Sequence, residues 1–178
     1  MRKKVSLVSV LLFLGVAWII QGAMEVKADA EGRGTPVITQ SFASKQIRPN
    51  DTWKVYLKAS HPDGKMKYIF SIIEQPGVGM YSASITRIKE SNRKELSGYI
   101  YLNTLGPGNQ LNLVNLTLTV QIQDMAGHFS APAVFPLSIY TRATQEGPPQ
   151  GAFKEQNLGP IMIRLSTIDG GISGDFGQ

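Results

Sequence analysis

Leu116-Thr117-Leu118-Thr119-Val120-Gln121-Ile122-Gln123 is the stretch that decides the fold. Apolar and polar side chains alternate strictly through it. Successive side chains of an extended strand point to opposite faces, so Leu116, Leu118, Val120 and Ile122 share one apolar face. The Thr and Gln residues share the other, which suits water. Two further stretches repeat the pattern: Trp53, Val55, Leu57 and Ala59 alternate with Lys54, Tyr56, Lys58 and Ser60, and Ala133, Phe135, Leu137 and Ile139 form a third apolar stripe.

Working outward, Gly, Pro, Asn and Asp break the alternation at short intervals, and no apolar pattern of helical period appears beyond Ala30. Strands are predicted near 36–42, 53–60, 66–75, 80–88, 96–104, 114–123 and 131–141. Met66–Gln75 is apolar on both parities, which predicts a central strand. Seven short strands separated by turn residues predict an all-β antiparallel sandwich. The chain has no cysteine, so the core must hold the domain without disulfides.

Pro132 and Pro136 lie four residues apart in the last of these strands. Neither has an N–H, and their spacing aims both at the same side, which must then be a free edge. In an immunoglobulin-like sandwich the seventh strand is such an edge, and two prolines would blunt it against pairing with other chains.

After Thr141 the composition changes. Gln145-Glu146-Gly147-Pro148-Pro149-Gln150-Gly151 reads as a linker, and Pro160-Ile161-Met162-Ile163-Arg164-Leu165 as a short eighth strand with Ile161, Ile163 and Leu165 on one face. That strand should dock in cis through the linker, on the first strand or the opposite sheet edge rather than beside Val134–Leu137. Asp169–Gln178 is Gly-rich and expected to be disordered. The organisation is thus 1–30, 31–141 and 142–178.

Residues 1–30 have the layout of a secretory signal peptide. Arg2, Lys3 and Lys4 precede an apolar run from Val5 to Ile20, and Ala28-Asp29-Ala30 is the cleavage site. The run is short of the ~20 apolar residues that a spanning helix needs. The mature form is therefore expected to be exported (periplasmic, cell-surface or secreted), with no membrane segment. The whole chain carries +5, and loss of Arg2, Lys3, Lys4 and Lys27 together with Glu25 and Asp29 leaves +3. Apart from Lys65/Lys67 and Arg93/Lys94 the remaining basic residues are scattered, which speaks against nucleic acid as a partner.

Two loops hold the residues with chemical potential. Ser60-His61-Pro62-Asp63-Gly64-Lys65 and Gln123-Asp124-Met125-Ala126-Gly127-His128 carry turn chemistry, in which Pro presets φ, Asp bonds back to the backbone and Gly takes φ > 0. The run Lys58-Ala59-Ser60-His61-Pro62-Asp63-Gly64-Lys65-Met66-Lys67-Tyr68 resembles the Asp-Pro-Asp-Gly-Asp stretch of bacterial exported cadherin-like and immunoglobulin-like domains. Val120–His128 resembles the Asp-x-Ala-Gly-Asn hairpin of the same group. The resemblance covers about 36–141 and implies an immunoglobulin-like fold. His61, Lys65 and His128 depart from its pattern. Asp63 and Asp124 are the only acids in the two loops, too few for calcium's roughly six to eight oxygen ligands, so no calcium role carries over.

The immunoglobulin-like topology places both loops at one end. His61, Asp63, Asp124 and His128 would then meet and could hold zinc or copper, or serve a small enzyme or a periplasmic ligand carrier. The alternative is that the Asp residues build turns and the His residues are solvated. No G-x-S-x-G or H-E-x-x-H motif occurs. Gly77-Val78-Gly79 and Gly106-Pro107-Gly108-Asn109 open no helix and are loops, not phosphate cradles. No catalytic, cofactor or metal residue is therefore assigned. The expected function is that of a non-catalytic, exported immunoglobulin-like module, which binds a protein partner or plays a structural role at the cell envelope.

Overall fold

Ten strands in two sheets make up the computed structural model, which describes residues 34–104, 111 and 113–166. The leader expected over 1–30, the Gly106–Asn109 loop and the Gly-rich end from Asp169 lie outside the described residues. The strands are β1 (Val37–Ala43), β2 (Gln46–Ile47), β3 (Thr52–Ser60), β4 (Met66–Gln75) and β5 (Gly79–Met80), then β6 (Ser84–Arg87), β7 (Glu95–Asn103), β8 (Val114–Asp124), β9 (Ala133–Ile139) and β10 (Asn157–Pro160). A four-stranded sheet runs β1-β3-β7-β10. A six-stranded sheet runs β2-β9-β8-β4-β5, with β6 also on β4. This strand order is compatible with an immunoglobulin-like domain. Among the described residues there is no α-helix, and no helix long and apolar enough to cross a membrane.

Alternation sets the core as the sequence predicts. Trp53, Leu57, Ile100 and Leu102 face inward from one sheet, and Ile69, Ile73, Leu118, Ile122, Leu137 and Ile139 face them from the other, all fully buried. Central β4 is flanked by β8 on one side and by β5 and β6 on the other.

Two expectations need correction: there are ten strands rather than about seven, and the sheets are mixed rather than purely antiparallel. β2 runs parallel to β9, and β10 parallel to β7. β2 is two residues long, too short to show an alternation. It exists because the chain turns at Ser44 from one sheet to the other. The Ser44 hydroxyl donates to the Gln46 carbonyl at 2.7 Å, and the Ser44 carbonyl accepts the Trp53 indole N–H at 2.8 Å. The strand predicted over 80–88 is broken into β5 and β6. Tyr81 still pairs with β4, its N–H donating to the Ile73 carbonyl and its phenol to the Gln75 side chain at 2.6 Å. The break follows it, where the register slips by one residue between Met80 opposite Glu74 and Ser84 opposite Ser71.

The free edge expected at the last strand is only partly there, because β2 pairs with β9 on that side. The N–H groups of Ser138 and Tyr140 reach the Lys45 and Ile47 carbonyls on the side of β9 away from β8. Pro132 and Pro136 share that parity, so their missing donors fall on the same side, ahead of the stretch that β2 covers.

The C-terminal segment docks in cis on the edge of β7, with its strand shifted to 157–160 from the expected 160–165. The Tyr99 N–H donates to the Gln156 carbonyl at 2.8 Å, and the Ile161 N–H to the Tyr101 carbonyl at 2.7 Å. Ile161 is buried as its apolar stripe requires. Beyond it the chain leaves the ladder and crosses to the other sheet. The Met162 N–H donates to Ser84 Oγ at 2.8 Å, and the Ser166 N–H to the Tyr81 phenol at 2.8 Å. The segment thus straps one side of the sandwich shut. Gly98 makes this approach feasible, because a Cβ there would collide with the Gln156 carbonyl and the Leu158 side chain.

Candidate functional site

The turns after β3 and β8 form as their residues dictate. Gly64 and Gly127 adopt positive φ (66° and 95°), and the Gly64 N–H closes its turn on the His61 carbonyl at 3.1 Å. These turns bring three of the four singled-out residues together. His61 Nε2 lies 3.3 Å and His128 Nδ1 3.0 Å from Asp124 Oδ2. The other oxygen, Oδ1, accepts the N–H groups of Ala126 at 2.8 Å and His128 at 2.9 Å. Asp63 is not part of the cluster. Its exposed carboxylate is 3.7 Å from Lys65 Nζ, and only its backbone N–H joins in, donating to His61 Nδ1 at 3.1 Å.

That last bond fixes the ring. Nδ1 of His61 is an acceptor, so its proton sits on Nε2 and is donated to Asp124. His61 and Asp124 are both buried (1% and 2% exposed), whereas His128 is 59% exposed on its side chain. Burial disfavours the Asp124 charge, but the donors from His128, His61 and Ala126 outweigh it and hold the carboxyl down to about 2. A carboxylate with four donors already in place has its lone pairs committed. The Met125 N–H also donates to the Lys65 carbonyl at 3.0 Å, so the cluster ties the two loops together. Among the described residues no group of three or more His, Asp or Glu side chains is arranged to hold a metal ion. The arrangement is a hydrogen-bonded lock between two turns.

The two outer faces of the sandwich differ. On the four-stranded sheet the returning chain forms a roof. Tyr56 packs against Tyr99 and Phe153 with ring centroids 5.5 and 5.6 Å apart, and its phenol donates to Glu155 at 2.8 Å. Lys54 pairs with the same carboxylate at 3.1 Å. The Tyr56 bond, then the Lys54 bond, pull Glu155 below the usual carboxylate range. The Tyr99/Tyr101 pair therefore lies on an outer face, as the parity of Ile100 and Leu102 predicts, but half-buried. Beside the roof a groove of about 470 Å³ is lined by Lys58, Ser60, Glu95, Ser97, Phe153 and Lys154. None of His61, Asp63, Asp124 or His128 lines it. Nothing in the spacing of Phe153 or Glu155 announces this role, because neither belongs to an alternating run.

The six-stranded sheet has no roof among the described residues. Phe70 and Phe129 meet edge to face at 5.1 Å on its outer side, with Tyr68 6.3 Å from Phe70. Ile85 lies opposite Phe70, and Val134 lies one strand beyond Thr119, the neighbour of Ile72. Ile85, Val134 and Phe129 are 53%, 56% and 44% exposed. The sequence shows Tyr68, Phe70 and Ile72 as one parity of β4 but gives no sign that this side stays bare.

No protein-family model matches the chain, and no curated protein matches it.

Proposed function

We propose that the chain is an exported, non-catalytic immunoglobulin-like module, resembling those of bacterial exported proteins, and that it binds a folded protein partner at the cell envelope. One observation carries this reading: the contrast between the two outer faces. The aromatic residues of the four-stranded sheet are roofed by the chain's own C-terminal segment, while on the other sheet Phe129, Ile85 and Val134 stand exposed around a half-buried Phe70. Exposed apolar side chains gathered on one sheet face, here on both sides of the Thr119/Gln121 row of β8, mark an interaction site more often than chance exposure does. Its make-up fits a protein partner, with aromatic and aliphatic side chains at the centre and Arg87, Glu74 and Lys67 toward the rim. The leader-like residues 1–30 support the extracytoplasmic setting.

Photo-crosslinking in cells tests the reading. A photoreactive residue at Val134 should give a discrete adduct in the envelope fraction, and Ile85→Lys should abolish that adduct while leaving the fold intact. Absence of any adduct from Val134 or Ile85, or a protein retained in the cytoplasm, would overturn it.

A further inference from the structure

A sheet edge is an unpaired row of N–H and C=O groups, and natural proteins guard such rows with charge, proline, short length or a cover. Three sides of this sandwich are guarded. The β7 edge is covered by β10. The β9 edge carries Pro132 and Pro136 and is partly paired by β2. On the far side of β4 lie only β5 and β6, of two and four residues, held by the strap through Ser84 and Tyr81. β1 differs. It is seven residues long and ends the four-stranded sheet. Among the described residues it has no backbone partner on the side away from β3. Residues 37–44 include no charged residue and no proline. Its one guard is a bulge between Ile38 and Gln40, which leaves Gln40–Ala43 regular.

We infer that β1 pairs with β1 of a second copy of this chain, antiparallel about a two-fold axis near Ser41. This goes beyond the proposed function and uses a different surface. Beyond the bulge the strand is regular. Ser41 lies opposite Leu57 and Ala43 opposite Val55, on the core side, while Gln40 lies opposite Lys58 and Phe42 opposite Tyr56, on the outer side. An axis at Ser41 sets Gln40 against the partner's Phe42, so outer side chains meet outer ones. Ser41 then meets its own copy, and that pair lies on the core side of the sheet. No like charges face each other, which is the condition a self-complementary interface must meet. The product is one continuous eight-stranded sheet through two molecules.

Sedimentation velocity of the purified full chain from about 1 to 200 μM should show a reversible monomer–dimer equilibrium. Ser41 is exposed, so substitution leaves the monomer core untouched. Ser41→Lys and Ser41→Glu should each weaken the dimer tenfold or more, and mixing the two variants should restore it through opposite charges on the axis. Because the chain lacks cysteine, Ser41→Cys gives a single thiol, which should crosslink in the oxidised sample far faster than Val134→Cys. A wild-type chain that stays monomeric throughout would overturn the inference. So would a dimer indifferent to Ser41→Lys, or crosslinking no faster at Ser41 than at Val134.

Discussion

His61 and Asp124 stand 63 residues apart in the chain, yet they are joined by a 3.3 Å hydrogen bond between two buried side chains. The bond spans the turn after β3 and the turn after β8, and it completes the ring of donors around one carboxylate. The two residues that most invited a chemical role are therefore tied into holding one end of the sandwich closed.

Asp124→Asn puts an amide N–H₂ or a neutral oxygen where a carboxylate receives four donors. Leaving such buried donors poorly matched should cost about 2–4 kcal/mol at neutral pH. The folded-state pKa of about 2 lies below the ordinary 3.8, so the charge stabilises the fold fully above pH 4 and that contribution is lost as pH falls through 2. The shift corresponds to about 2–3 kcal/mol. Urea denaturation should therefore show a wide gap between wild type and Asp124→Asn at pH 7 and a narrow one near pH 2. A gap independent of pH would contradict the lock.

Leu118 is fully buried and Thr119 is not, so truncation at adjacent positions separates inside from outside. Leu118→Ala should cost about 2–5 kcal/mol and Thr119→Ala well under that, read from denaturation midpoints.

Gly98→Ala places a methyl against the Gln156 carbonyl. The strap must shift away from β7, and the Tyr99 and Ile161 amides that bridge the two should exchange with deuterium much faster than in wild type. Gly159→Ala should act the same way from the other side, because φ is +141° there and Thr86 Cγ2 would lie 2.6 Å from the new Cβ. Core amides such as those of Leu118 and Val120 should stay protected in both.

Trp53→Phe keeps an aromatic ring in the core but removes the N–H that holds the Ser44 carbonyl at the corner between sheets. A loss of about 1–3 kcal/mol is expected, from the unpaired carbonyl and the smaller ring. Adding Ser44→Ala to Trp53→Phe should give less than the sum of the two single losses, because both act on the same corner.

The sandwich was legible wherever one face of a strand is buried and the other wet. Trp53, Leu57, Leu118, Ile122, Leu137 and Ile139 announce their faces by parity alone, and the spacing of Pro132 and Pro136 announces which side of β9 lacks donors but not that β2 pairs there beyond Pro136. Gln46–Ile47 was invisible because two residues carry no period. The break after Tyr81 was invisible because it is a one-residue slip in the pairing with β4, which only the partner strand reveals. The end of the chain was half legible: Ile161 had to be buried, but Gly98 and Gly159, which decide where the backbone can approach, show their purpose only beside Gln156 and Thr86. The immunoglobulin-like topology offered a meeting of His61, Asp124 and His128 as one of two readings, the other being turn-building Asp and solvated His residues. It did not foretell that Asp63 would contribute its backbone instead of its carboxylate, since that depends on the direction of one side chain.

The strap is the last described part of the chain to be synthesised, and this orders how the molecule can come into being. Until Gln156–Ile161 emerges, the N–H of Tyr99 and the carbonyl of Tyr101 lack the partners that the finished protein gives them. A nascent chain that pauses before that point holds a nearly complete core with a raw side, ready to pair with any neighbour in the same condition. The last few residues to arrive therefore act as the molecule's own chaperone, and a stop codon shortly before Gln156 would yield a protein that packs its core but sticks to its siblings.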